Sequence, residues 1–120
     1  MTAASVMQGC VGAVVDGGVR DVDRIVETGF KVWSRYRTPA SMAHRFHIAE
    51  WQQPIKIGRT EVVPGDLVFG DMDGIVVVPR ALAYEVLVQA EEQNQTERGW
   101  RDIIASGLSP AEVVRRGGKF

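Results

Sequence analysis

A chain of 120 residues, 45% of them hydrophobic and 24% charged, has the size and composition of one compact domain, so residues 1–120 are expected to form a single one. Fourteen basic residues against fifteen acidic ones leave a net charge of −1, which removes the basic surplus that nucleic acid or an anionic membrane would call for. No apolar run reaches the roughly 18 residues of a membrane helix and no basic segment with an apolar core opens the chain, so the expectation is a cytoplasmic protein.

In chain order, Thr2 to Gln8 is Ala-rich without a turn residue until Gly9 and predicts a helix. Cys10 follows, a lone cysteine that cannot form an intramolecular disulfide and whose apolar neighbours predict a buried, inert thiol. Val11 to Val15 predicts a buried strand, and Gly17-Gly18 predicts a tight turn with positive φ. A short helix is expected from about Asp21 to Glu27, closed by Thr28-Gly29. Phe30 to Trp33 predicts a second strand, and Arg35 to Glu50 an irregular excursion around Thr38-Pro39.

The middle of the chain is β-rich. Ile55-Lys56-Ile57 and Glu61-Val62-Val63 alternate around Gly58-Arg59-Thr60, the pattern of a three-residue hairpin. Pro64-Gly65-Asp66 predicts a turn, Leu67 to Phe69 a strand, Asp71 to Gly74 another turn, and Ile75 to Val78 a strand stopped by Pro79. From about Ala81 the apolar spacing becomes helical, with Leu82, Val86, Leu87 and Ala90 on one stripe, to Gln95 or beyond. Ser109-Pro110 signals a last short helix.

The chemistry concentrates in Asp16-Gly17-Gly18-Val19-Arg20-Asp21, where a strand meets a helix. Two readings of Arg20 and Asp21 stand side by side. In one, Asp21 caps the helix and Arg20 makes a surface ion pair. In the other, the guanidinium grips a carboxylate through two parallel hydrogen bonds while the aspartate holds a hard divalent cation, a combination suited to an α-keto acid. The glycine spacing contains neither a dinucleotide fingerprint nor a phosphate loop, so nucleotide binding is not supported.

Other constellations read as structural. His44 and His47 lack further ligands to complete a zinc set, and Asp66, Asp71 and Asp73 lack the spacing of a calcium loop and are expected to form turns. Trp33, Trp51 and Trp100 are expected to pack or to meet another subunit, and Arg35/Arg37 and Arg115/Arg116 to be solvated. A Schiff-base mechanism would need a lysine with a lowered pKa in a pocket, and Lys31, Lys56 and Lys119 are placed at a helix end, in a hairpin strand and at the terminus.

Two segments, Val14 to Asp23 and Pro64 to Pro79, together resemble the RraA-like group, which contains the divalent-metal 4-hydroxy-4-methyl-2-oxoglutarate/4-carboxy-4-hydroxy-2-oxoadipate aldolases and the ribonuclease E inhibitor RraA. The resemblance implies an α/β fold, a swivelling-type β/β/α three-layer domain, assembled into homotrimers that in some members pair into hexamers. It further implies a class II pyruvate aldolase that also decarboxylates oxaloacetate, with a small-molecule 2-keto acid as partner and Mg2+ or Mn2+ as cofactor. Arg20 matches the arginine that binds the pyruvyl group and its enolate, and Asp21 the aspartate that holds the metal. Glu97, near the C-terminal helix, is the candidate for a catalytic glutamate reaching a neighbouring subunit's site. The alternative the family offers is a non-catalytic regulator of ribonuclease E.

The chain departs from the aldolase pattern in two places. Arg24 stands where an acidic residue is expected, with Asp23 one position earlier, so weakened metal binding is expected. The glycine about twenty residues before the Arg-Asp pair would fall ahead of Met1. These residues are therefore expected to be the C-terminal portion of a longer family member, lacking part of its fold and showing low or absent turnover alone.

Overall fold

A computed structural model describes residues 1–118. The chain divides into two compact units, Met1–Val77 and the residues from Val78 onward. In the first unit, α1 (Thr2–Met7) precedes β1 (Gly12–Val19), α2 (Val22–Glu27) and β2 (Lys31–Arg37). β1 and β2 pair in parallel, Gly12 opposite Lys31 through Val19 opposite Arg37, and α2 is the connection between them. A parallel pair needs a crossover of this kind, because a tight turn returns the chain antiparallel.

The strand β1 does not stop at the glycines. Neither Gly17 nor Gly18 has positive φ, and the pairing runs on to Val19, so the expected tight turn is a continuous strand with a register shift between Val15 and Gly18. The physical reason for Gly18 is close approach: a Cβ there would lie 2.5 Å from Tyr36 Cε2 and 2.7 Å from Thr38 Cγ2. β2 likewise outlasts Trp33 and includes Arg35, which the sequence left in the irregular stretch. The helix end does follow expectation, with Gly29 at φ +67 directly after it.

β3 (Ile55–Ile57) and β4 (Thr60–Val62) are antiparallel, with Ile57 opposite Thr60. The connection is therefore the two residues Gly58-Arg59 rather than three, with Gly58 at φ +60, since a glycine at the first position matches the strand twist. At Pro64-Gly65, Asp66 N–H donates to Val63 O at 3.0 Å and Gly65 takes φ +100, the requirement of a turn with proline first and glycine second. β5 (Leu67–Gly70) and β6 (Ile75–Val78) pair around a turn in which the Asp71 carboxylate accepts the N–H groups of Asp73 at 2.8 Å and Gly74 at 3.2 Å. Asp71 is thus a turn former, as expected.

The second unit holds a 3-10 turn at Arg80–Leu82, the 23-residue α3 (Ala83–Ala105) and α4 (Pro110–Arg115). Ser109 Oγ accepts the Glu112 N–H at 3.3 Å, the expected N-cap, and Val113 behind it is fully buried. Ser109→Ala is expected to lower unfolding stability by about 1 kcal/mol in urea titrations, because the Glu112 N–H loses its side-chain acceptor.

Among the described residues the buried apolar side chains are Val78 and Val113, while Phe46, Trp51, Phe69, Tyr84 and Leu87 are all more than half exposed. Cys10 is exposed too, against expectation, because its apolar neighbour Val11 is itself 90% exposed and builds no core around it. No helix among the described residues is long and apolar enough to cross a membrane.

Candidate functional site

Arg20 and Asp21 leave the end of β1 and precede the first turn of α2. Asp21 occupies the N-cap position, yet its carboxylate makes no capping hydrogen bond. Its backbone is left-handed, φ +56 and ψ +41, where an N-cap residue ordinarily takes extended angles. Aspartate tolerates that region better than most residues, but the conformation still costs free energy and is concentrated in natural proteins at functional sites. The capping reading of Asp21 therefore does not hold.

The side chains of the pair are bonded to each other. Arg20 Nε donates to Asp21 Oδ2 at 3.1 Å, with both side chains more than half exposed. Among the described residues nothing else bonds to Arg20 Nη1 or Nη2, or to Asp21 Oδ1. The outer edge of the guanidinium therefore keeps two N–H groups in the fork geometry that matches a carboxylate, and the aspartate keeps one hard oxygen that its partner does not use. One carboxylate oxygen with a chelating keto acid and water is an adequate donor set for Mg2+, which is commonly held by one or two carboxylates and substrate oxygens. No group of three or more His, Cys, Asp or Glu side chains among the described residues forms a preassembled metal cluster.

Val19 and Val22, which flank the pair in the chain, line an open cleft of about 470 Å3 between α2 and β2. Phe30, Val32 and Trp33 supply its apolar wall, and Arg35 and Arg37 add charge. Trp33 is held there by its indole N–H, which donates to Asp71 O at 2.8 Å, so it packs as expected.

Sequence reasoning missed Asp16. One of its carboxylate oxygens pairs with Arg35 Nε and the other accepts the Gly58 N–H at 2.9 Å. Arg35 is consequently no free solvated charge. The Arg35 hydrogen bond, and after it the Gly58 N–H, hold the Asp16 carboxyl below the usual carboxylate range, and the same pairing raises Arg35. A folded-state pKa lowered in this way contributes stability at pH values above the unfolded value of about 3.9, and that contribution is lost as pH falls through the folded value. The difference in thermal midpoint between the unsubstituted chain and Asp16→Asn is expected to be constant above about pH 5 and to shrink on acidification, as melts at several pH values would show.

Glu97 lies in α3, where Oε1 accepts from Gln93 at 3.2 Å and Oε2 from Arg101 at 3.1 Å. Arg24, at the position expected to be acidic, pairs with Glu27 at 3.6 Å, and Asp23 is exposed beside it. Lys31 and Lys56 are exposed, and Lys119 lies outside the described residues. His44 and His47 are exposed.

Residues 1–77 match the family model described as RraA-like: Aldolase/RraA. A Halalkalibacterium halodurans protein provisionally named 4-hydroxy-4-methyl-2-oxoglutarate aldolase is 34% identical over 100 residues, covering 83% of this chain and 47% of that one. Among solved structures, an uncharacterized protein from Pseudomonas syringae pv. tomato superposes with a TM-score of 0.87 at 37% identity, covering 91% of this chain and 55% of that one. Streptomyces coelicolor RraAS2, described as an unusual member of the RNase ES inhibitor RraA protein family, gives 0.71 at 37% identity over 80% of this chain and 49% of its own. The chain thus spans about half the length of these three relatives, and its mixture of helices and sheets is the α/β fold they share.

Proposed function

As the chain belongs to the RraA-like family, we propose that Arg20 and Asp21 form the substrate end of a divalent-metal-dependent lyase acting on 2-keto acids of the 4-hydroxy-4-methyl-2-oxoglutarate type, with oxaloacetate decarboxylation at the same site. The observation that carries this reading is the unspent bonding capacity of the pair: two guanidinium nitrogens and one carboxylate oxygen, on a residue in a left-handed conformation that does no capping.

Arg20 Nη1 and Nη2 receive the substrate carboxylate and orient the adjacent ketone. As the substrate's 4-hydroxyl gives its proton to solvent and becomes the carbonyl of the departing fragment, the C–C bond breaks and its electron pair leaves an enolate, whose developing negative charge the guanidinium stabilises. Asp21 would hold Mg2+ or Mn2+, which when bound would supply Lewis-acid stabilisation of the ketone oxygen. Protonation of the enolate carbon then gives pyruvate, and the same enolate arises when oxaloacetate loses CO2. The exposed apolar side chains support assembly into a homo-oligomer, trimer or hexamer, in which Glu97 approaches a neighbour's Arg20 and Asp21.

Pyruvate release from oxaloacetate and from 4-hydroxy-4-methyl-2-oxoglutarate, with and without Mg2+, tests the reading. Turnover that survives both EDTA and Asp21→Ala would sink it. Likeness to RraAS2 favours a second reading, regulation of a ribonuclease E without catalysis. Ribonuclease capture insensitive to Asp21→Ala, together with no turnover, would favour that reading instead.

A further inference from the structure

Asp16 and Gly17 are the residues of β1 that have no Cα partner on β2. Val15 faces Ser34 and Gly18 faces Tyr36, which leaves Arg35 alone opposite both. Two residues against one is the count of a β-bulge, a device that bends a strand and redirects the side chains beyond it. The Asp16 carboxylate closes this bulge from two directions, onto Arg35 of β2 and onto the Gly58 N–H in the β3–β4 turn. Those partners stand 19 and 42 residues away in the chain, so one side chain joins three segments of the first unit.

Between Asp16 and Arg20 lie Gly17, Gly18 and Val19. Two glycines give that stretch the softest backbone available, and a direction set there is held only if something outside it fixes both ends. Val19 is one end, where its carbonyl accepts the Thr38 N–H at 2.9 Å. Asp16 is the other. Gly18 lies between them against the Tyr36 ring, and a side chain there would have to displace that ring.

We propose that Asp16 is a positioning residue for Arg20 and Asp21, fixing the bulge so that β1 delivers the pair in one orientation. The proposal rests on the reading of that pair as the keto-acid site. Asp16 makes no hydrogen bond to either residue and acts only through the backbone between them.

The test compares the full 120-residue chain with Asp16→Asn, Arg35→Gln and the double variant. Amide hydrogen exchange is followed in peptides covering residues 17–22 and 83–105, and affinity for oxalate, a planar mimic of the pyruvate enolate, is measured with Mg2+ by titration calorimetry. The asparagine side chain still offers an oxygen to Gly58 but carries no charge toward Arg35. Exchange in 17–22 is expected to quicken about tenfold and oxalate to bind about tenfold more weakly, the scale of one charge-assisted hydrogen bond. Residues 83–105 should be unchanged, Arg35→Gln should reproduce the effect, and the double variant should add nothing to it. Exchange in 17–22 that stays as in the unsubstituted chain overturns the proposal. So does acceleration spread evenly over the chain with oxalate affinity retained, the mark of a merely stabilising ion pair. If the unsubstituted chain binds no oxalate, the keto-acid reading fails, and local exchange alone decides whether Asp16 orders Arg20 and Asp21. Should Asp16→Asn not fold, Arg35→Lys, which keeps the charge and loses the fork, takes its place with the same criteria.

Discussion

Replacing Asp21 with asparagine is expected to reduce pyruvate release from oxaloacetate by about a hundred- to a thousandfold, the loss seen when one group stabilising a developing oxyanion is removed. Asparagine is the informative choice because it accepts the left-handed backbone that Asp21 adopts, so the carboxylate charge is lost without new strain. Stability should hardly move, since the Asp21 side chain caps nothing and its one bond, to Arg20, is exposed. Arg20→Lys separates charge from geometry. Lysine keeps the positive charge but presents no planar fork, and loss of one charge-assisted hydrogen bond of about 1.5–3 kcal/mol corresponds to about a ten- to hundredfold drop. Steady-state kinetics with the Mg2+ and keto-acid concentrations varied in turn distinguish the two substitutions. Asp21→Asn should raise the Mg2+ requirement, and Arg20→Lys should raise KM for the keto acid.

Gly70→Ala is expected to destabilise the first unit by about 1–3 kcal/mol, the usual cost of inserting a methyl group into a filled space. A Cβ at Gly70 would stand 2.6 Å from Ile75 Cδ1 and 2.7 and 2.9 Å from two atoms of the Trp33 ring. Ile75 Cδ1 is the end of a flexible side chain and can turn away. Trp33 cannot do so without cost, because its indole N–H is committed to Asp71 O at 2.8 Å. Denaturant titration followed by tryptophan fluorescence would show both the lowered midpoint and a change in the Trp33 environment. At Gly18 the clashing Tyr36 ring is 59% exposed, so it can swing outward and an alanine there should cost less.

The sequence made the local order legible wherever turn chemistry and periodicity agreed. Gly29 behind α2, Pro64-Gly65 before β5, the Asp71 turn and the Ser109 cap are each set by residues within a few positions of one another. It misled at Gly17-Gly18, because a glycine pair that makes room for a tyrosine ring on the next strand looks the same in sequence as one that makes a turn. Arg35 was misplaced for the same reason, since its partner Asp16 lies on a strand paired only after folding. Adjacency and family resemblance single out Arg20 and Asp21 as the candidate pair. The left-handed backbone of Asp21 and its freedom from capping are three-dimensional facts that no spacing displays. Cys10 was expected to be buried from neighbours that turn out to be exposed, because apolar composition alone does not say what covers a side chain.

In the proposed site, Arg20 and Asp21 together hold an enolate-like dianion with a divalent cation. Titration calorimetry of oxalate into the protein, in Mg2+ and again in EDTA, measures this without requiring turnover. Oxalate is expected to bind in Mg2+, to lose that binding in EDTA and in Asp21→Asn, and to bind more weakly in Arg20→Lys. Oxalate affinity that is the same in EDTA, or unchanged by Asp21→Asn, would contradict this role for the pair.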